Sequence, residues 1–188
     1  TCKMITKETA GKFRDLPTPF YYYDLDNLHS VCHTVKEGSE KTGIRVHYAI
    51  KANANPRLLN IIASYGFGAD CVSFNEIRCA VTAGFKASEV VFAGVGKSDR
   101  DISDALDTEI LCFNSESIQE IEVIDLIAGQ KGKIANIALR INPYVEAHTH
   151  KYITTAVPES KFGLNTWELS EVLDRMMSLK NVRLTGIH

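Results

Sequence analysis

His47-Tyr48-Ala49-Ile50-Lys51-Ala52-Asn53-Ala54-Asn55-Pro56 begins with the alternation of a β-strand and ends with the start of a helix. Val46, Tyr48 and Ile50 fall on one face of that strand, and His47, Ala49 and Lys51 on the other. Asn55 can cap the helix that follows, and Pro56 suits its first position, where a missing N–H costs nothing. A lysine therefore stands at the carboxyl end of an apolar strand, just ahead of a helix. In parallel α/β folds ligands bind at that rim. Desolvation there frees a lysine amine as a nucleophile and Schiff-base former, and the competing reading is a strand-end lysine directed at solvent.

Outward from this stretch the pattern repeats. Apolar strands are predicted near 45–51, 67–72, 89–94, 109–113, 133–142 and 181–188, and helices near 56–65, 74–83, 99–107, 115–129 and 166–178. Strand starts recur every ~20–25 residues until the last gap, the mark of successive βα units wound right-handed around a parallel sheet. The expected fold class is α/β, an incomplete (β/α)8 TIM-type barrel with about six of the eight strands a closed barrel needs. Ending in mid-strand at Ile187-His188, the sequence reads as a fragment of a longer chain. Ahead of the barrel, residues 12–18 are polar and Pro-broken, Phe20–Asp24 reads as a short aromatic strand, and Asp24 or Asp26 can cap a helix to about Lys41, ended by Gly43. The expected division is 1–42 for this strand and helix and 43–188 for the partial barrel.

The chain has 188 residues, 45% hydrophobic and 23% charged, with a net charge of −2. One sizeable core fits that length. The scattered basic residues offer no nucleic-acid or anionic-membrane surface, no apolar run nears the ~20 residues of a membrane span, and no signal-peptide core leads the sequence. Five cysteines without a C-x-x-C pair read as small buried hydrophobes in a reducing compartment, so a cytoplasmic location is expected. His29 and His33 stand at a metal-binding spacing but lack a third ligand nearby, and no metal site is expected.

Several clusters carry chemistry. Ser73 and Glu76 fit a capping box, sufficient to explain both. In Gly94-Val95-Gly96-Lys97-Ser98-Asp99 the glycines can cradle a phosphate at a helix start, or make a turn with Lys97 as a solvated charge; the structural reading is adopted. On the fifth strand Ala135, Ile137, Leu139 and Ile141 face one way, and Asn136, Ala138, Arg140 and Asn142 the other. Arg140 then points at the barrel interior, where it must be paired by Asp70, Glu76 or a cofactor group, unless it snorkels to the strand end. The long loop Glu146–Ala156 is of a length usually functional or mobile, and His148 and His150 within it suit polar surface as well as metal.

The run Tyr48–Pro56 resembles the cofactor-lysine motif of the fold-type III pyridoxal-phosphate-dependent decarboxylases, the alanine racemase and ornithine decarboxylase-like barrels, and most closely the branch acting on diaminopimelate. Gly68-Ala69-Asp70-Cys71-Val72-Ser73-Phe74-Asn75-Glu76, Arg140-Ile141-Asn142-Pro143, Ser160-Lys161-Phe162-Gly163 and Gly186-Ile187-His188 match further runs of that family in order. Phe74-Asn75 stands where the diaminopimelate branch has two glycines, and Ala156 where it usually has one. The resemblance implies that Lys51 holds pyridoxal 5'-phosphate as a Schiff base, that Asp70, Glu76 and Arg140 surround it, that His188 faces the same cavity, and that residues 146–161 cover an amino-acid substrate. It implies decarboxylation of meso-2,6-diaminopimelate to L-lysine, in lysine biosynthesis, by a homodimer whose partner lends a cysteine to the site. It also implies an N-terminal strand joining a C-terminal β domain. Two alternatives stand beside it: a fold-type III relative acting on ornithine, arginine or alanine, and an inactive truncated barrel.

Overall fold

The computed structural model describes residues 5–143 and 162–188. The chain divides into two compact units, Thr1–Val46 and His47–His188.

In the first unit, α1 (Lys7–Lys12) starts where the Thr6 hydroxyl accepts the Thr9 N–H at 3.1 Å. A 3-10 turn, Phe13–Asp15, leads into an extended stretch with a cis Thr18–Pro19 bond. The strand expected over Phe20–Asp24 is absent among the described residues. Aromatic residues favour strands only where a neighbouring backbone offers ladder partners, and here the Phe13 ring packs edge-on against Phe20 and Tyr22, at 5.3 and 5.0 Å between centroids. The Asp24 carboxylate accepts the Asn27 N–H at 2.9 Å and so caps α2 (Leu25–Thr42). Gly43, left-handed at φ 70°, ends it.

The second unit is the repeat. β1 (His47–Ala49) runs into a 3-10 turn, Ile50–Ala52, and then α3 (Pro56–Ser64), with Asn55 as its cap. β2 (Gly68–Cys71) precedes α4 (Phe74–Thr82), β3 (Val90–Phe92) precedes α5 (Asp99–Thr108), and β4 (Cys112–Ser115) precedes α6 (Ile118–Gln130). β5 (Ala135–Leu139) is followed by a small parallel pair, β6 (Ile141–Asn142) with β7 (Leu164–Asn165), then α7 (Leu169–Met176) and β8 (Val182–Ile187). Six parallel strands form one sheet in the order β1-β2-β3-β4-β5-β8, so β1 and β8 are its edges. This is the α/β class and strand count expected, with the barrel unclosed.

Two faces with different chemistry follow from strand alternation. Ile50, Ala69, Cys71, Val90, Phe92, Phe113, Ile137 and Leu139 are almost wholly buried, and the helices cover them with Leu59, Ile77, Ile102, Ile121 and Ile124. Such all-apolar burial is what a helix-covered parallel sheet requires. The other face carries the polar residues considered next.

Candidate active site

Parallel register lines up the polar face. Ala49 is level with Asp70 on β2, and Asn114 on β4 is level with Ala138 on β5 and, across a register shift, Gly186 on β8. The bonds Arg140 N–H to Ser115 C=O (2.9 Å) and His188 N–H to Leu139 C=O (2.8 Å) carry the ladder one step further. Glu116, Arg140 and His188 thus come level at the carboxyl rim, on the face opposite the apolar row.

Arg140 Nη1 donates to Glu116 Oε1 at 2.7 Å, with the glutamate side chain 6% exposed and the arginine 31%. The same oxygen accepts the Gly94 N–H at 3.2 Å. The pairing expected with Asp70 or Glu76 is therefore corrected: Glu116 sits on the adjacent strand end, whereas Asp70 lies three strands away in the sheet order. The Glu76 carboxylate is turned elsewhere, accepting the Val72 N–H at 2.7 Å, while Ser73 Oγ accepts the Glu76 N–H at 3.2 Å. The anticipated capping box is half formed, its return bond reaching one residue ahead of the cap. Phe162 lays its ring 5.6 Å from the Arg140 guanidinium. Gly163, at φ 99°, comes so close to Arg140 that an added Cβ would meet its carbonyl oxygen at 2.8 Å, an approach open only to glycine.

Lys51 lies in the 3-10 turn beyond β1 rather than on the strand, and it is exposed. The dry amine expected from sequence is corrected for a topological reason: β1 is an edge of the open sheet, so a strand, β2, pairs with it on one side only among the described residues. Asp70, on the neighbouring strand, keeps a buried Oδ1 with no hydrogen bond among the described residues. Glu116 Oε2 is buried and unbonded in the same way. His188 is exposed at the other sheet edge.

Two buried groups escaped the sequence reading. The Lys97 side chain is 0% exposed, not solvated as expected: its Nζ donates to Gly94 C=O (2.6 Å), Asn114 C=O (3.0 Å) and Glu120 Oε1 (2.8 Å). Glu120 Oε2 accepts the Glu116 N–H at 3.4 Å, and burial pushes the Glu120 carboxyl above its ordinary range against the pull of Lys97. Glu116 itself was missed because the predicted strand stopped at 113; continuing its alternation would have put Asn114 and Glu116 on the Arg140 side. Among cysteines, burial and then the Glu76 and Asp70 charges push the Cys71 thiol up to about 12, which keeps it protonated and inert. Among the described residues no group of His, Cys, Asp and Glu side chains is gathered to hold a metal, and no helix is long and apolar enough to cross a membrane.

Residues 25–188 match the family model for the pyridoxal-binding domain of pyridoxal-dependent decarboxylases. The chain belongs to the pyridoxal-dependent decarboxylase family. It is 52% identical over 178 residues to the diaminopimelate decarboxylase of Bacteroides thetaiotaomicron, and 45% identical over 182 residues to that of Aquifex aeolicus. Those alignments take in 94% and 97% of this chain, but 46% and 42% of the relatives, so the chain spans a little under half their length. The crystal structure of Helicobacter pylori diaminopimelate decarboxylase complexed with L-lysine superposes with a TM-score of 0.83 at 38% identity, covering 95% of this chain and 45% of that one. The crystal structure of diaminopimelate decarboxylase from M. jannaschi gives 0.82 at 30% identity, over 95% of this chain and 43% of that one.

Pyridoxal phosphate is the cofactor this family uses, and the polar face of this decarboxylase domain fits it. Lys51 supplies a primary amine at the rim. The unbonded Asp70 Oδ1 and Glu116 Oε2 supply acceptors, and leaving buried acceptors unpaired costs about 1–3 kcal/mol each, so a donor arriving over this face is favoured. The loop expected to cover the substrate, 146–161, with His148 and His150, lies outside the described residues.

Proposed function

We propose that this chain is the cofactor-binding part of a cytoplasmic, homodimeric enzyme that decarboxylates meso-diaminopimelate to L-lysine, with Lys51 as the cofactor-bearing residue and Asp70, Glu76, Arg140 and His188 around it. The observation that supports the reading is that one parallel sheet carries all four groups at or near the carboxyl ends of its strands: Lys51 in the turn after β1, Asp70 on β2, Glu116 just past β4 and its partner Arg140 just past β5. When bound, pyridoxal phosphate supplies an electron sink for the pair left behind as carbon dioxide departs. Lys51 would hold the cofactor aldehyde through its side-chain nitrogen, give way when the substrate amine takes its place, and hold the aldehyde again once the product amine has left. Asp70, level with Ala49 two residues before Lys51, would hold a proton at that nitrogen through its unbonded Oδ1. Arg140 is pinned by Glu116 on the β4–β5 side of the rim, which holds its guanidinium in place. Glu76 acts at one remove, by closing the turn after β2.

The choice of diaminopimelate among amino acids is supported by relatives of that name at up to 52% identity and by the lysine held in the Helicobacter pylori structure. The test is turnover by the full-length protein loaded with pyridoxal phosphate. It should release carbon dioxide from meso-diaminopimelate and yield lysine, with ornithine and arginine disfavoured by on the order of 10²-fold or more in kcat/KM. Comparable turnover of ornithine would overturn the assignment of substrate.

A further inference from the structure

The polar face holds two acids and two bases in two neighbourhoods. Lys51 and Asp70 belong to the β1–β2 side, and Glu116 and Arg140 to the β4–β5 side. Glu116 is the better anchored acid of the two. Its Oε1 receives Arg140 Nη1 at 2.7 Å and the Gly94 N–H at 3.2 Å. Its backbone N–H is held by Glu120, which is held in turn by the buried Lys97, and Lys97 also grips the carbonyls of Gly94 and Asn114. The loop after β3 and the end of β4 are thereby fastened together around one carboxylate. Phe162 and Gly163 close on Arg140 from the other side.

Resting on the cofactor site proposed above, we infer that Glu116 is a positioning residue: it fixes the Arg140 guanidinium at the rim and cancels its charge, leaving Asp70 as the carboxylate that answers the Lys51 nitrogen. A bond this short between a 6%-exposed carboxylate and a guanidinium directs that charge-assisted contact to one partner. Without Glu116, Arg140 would present an uncancelled positive charge to the same face, and a positive charge there disfavours protonation of the nitrogen joining Lys51 to the cofactor. The described charged or titratable groups at this rim and packed against it include Lys51, Asp70, Glu76, Lys97, Glu116, Glu120, Arg140 and His188.

The experiment is a pH titration of the visible band of bound pyridoxal phosphate in the full-length holoenzyme, paired with borohydride fixation of the cofactor on Lys51. E116Q should lower the titration midpoint by on the order of half a unit to one unit. E116D, which keeps the charge, should bring the midpoint most of the way back. R140Q, which strips the positive charge and leaves the negative one, should raise it, and the double variant E116Q/R140Q should return close to the wild type. Opposite shifts that cancel are not the mark of a merely loosened fold. Shifts of the same sign in E116Q and R140Q, or an unmoved midpoint in E116Q while wild-type protein still carries cofactor on Lys51, overturn the inference and leave the site reading standing. Wild-type protein that fixes no cofactor on Lys51 overturns both.

Discussion

Lys97 illustrates how much a single side chain can hold in place. A lysine with no exposed side-chain surface needs its charge answered, and Glu120 at 2.8 Å does so, with two carbonyls taking the remaining protons. The Phe92 ring, 5.4 Å from Nζ, lines the same site. Replacing Lys97 by alanine strands the Glu120 carboxylate in a site that already resists its ionisation. K97A should therefore lose about 3–5 kcal/mol of stability in urea unfolding, and adding E120Q should recover part of it. A loss under half a kcal/mol would show that the pair is not buried in solution. Arg140 makes a related point about what can be read in advance. Its side of the strand follows from alternation, but its partner does not, because which acid comes level with it depends on strand register, and Glu116 lies 24 positions away in the chain.

Among the elements, the strand-to-helix junctions share one design. Ser73, Ser98 and Ser117 each cap the helix that follows, and each has an acid three residues on. Ser98 and Asp101 complete the reciprocal box, whereas Glu76 and Glu120 send the return bond to the residue ahead of the cap, tightening the strand exit. The Ser73–Glu76 junction was legible because it is local, spanning only four residues, whereas the one at Ser117 was hidden by a helix predicted to begin at 115. The helix ends are tied by longer-range charges. Asp107, at the end of α5, meets Lys131 at 2.6 Å and Lys133 at 3.3 Å in the turn before β5. Those hydrogen bonds hold its carboxyl below the ordinary value of 3.8. A depressed acid adds stability above its unfolded value and loses it as the pH falls through its folded one. The Tm advantage of wild type over D107N should therefore be present at neutral pH and close as the pH drops below 3.8. A gap that stays constant through that range would mean the half-buried lysines do not hold Asp107 in solution.

Across the whole molecule, six parallel strands and their covering helices followed from the spacing of apolar runs, since each βα unit announces itself within about 25 residues. The aromatic run Phe20–Asp24 has strand composition but gains no ladder, because composition does not supply a partner. Exposure at Lys51 was invisible for a similar reason. Alternation along β1 puts a lysine at the rim, but whether that rim is covered depends on sheet order, and β1 is an edge here. The same edge position leaves the Lys51 nitrogen accessible to an aldehyde, while Asp70 waits on the next strand with an unbonded oxygen.

The account turns on Lys51 as the residue that binds the cofactor. Borohydride reduction of the full-length protein loaded with pyridoxal phosphate, followed by peptide mass spectrometry, tests it directly. The reduced cofactor should be found on the peptide containing Lys51 and be absent from K51A. A stable adduct on another lysine, or one that survives K51A unchanged, would contradict it.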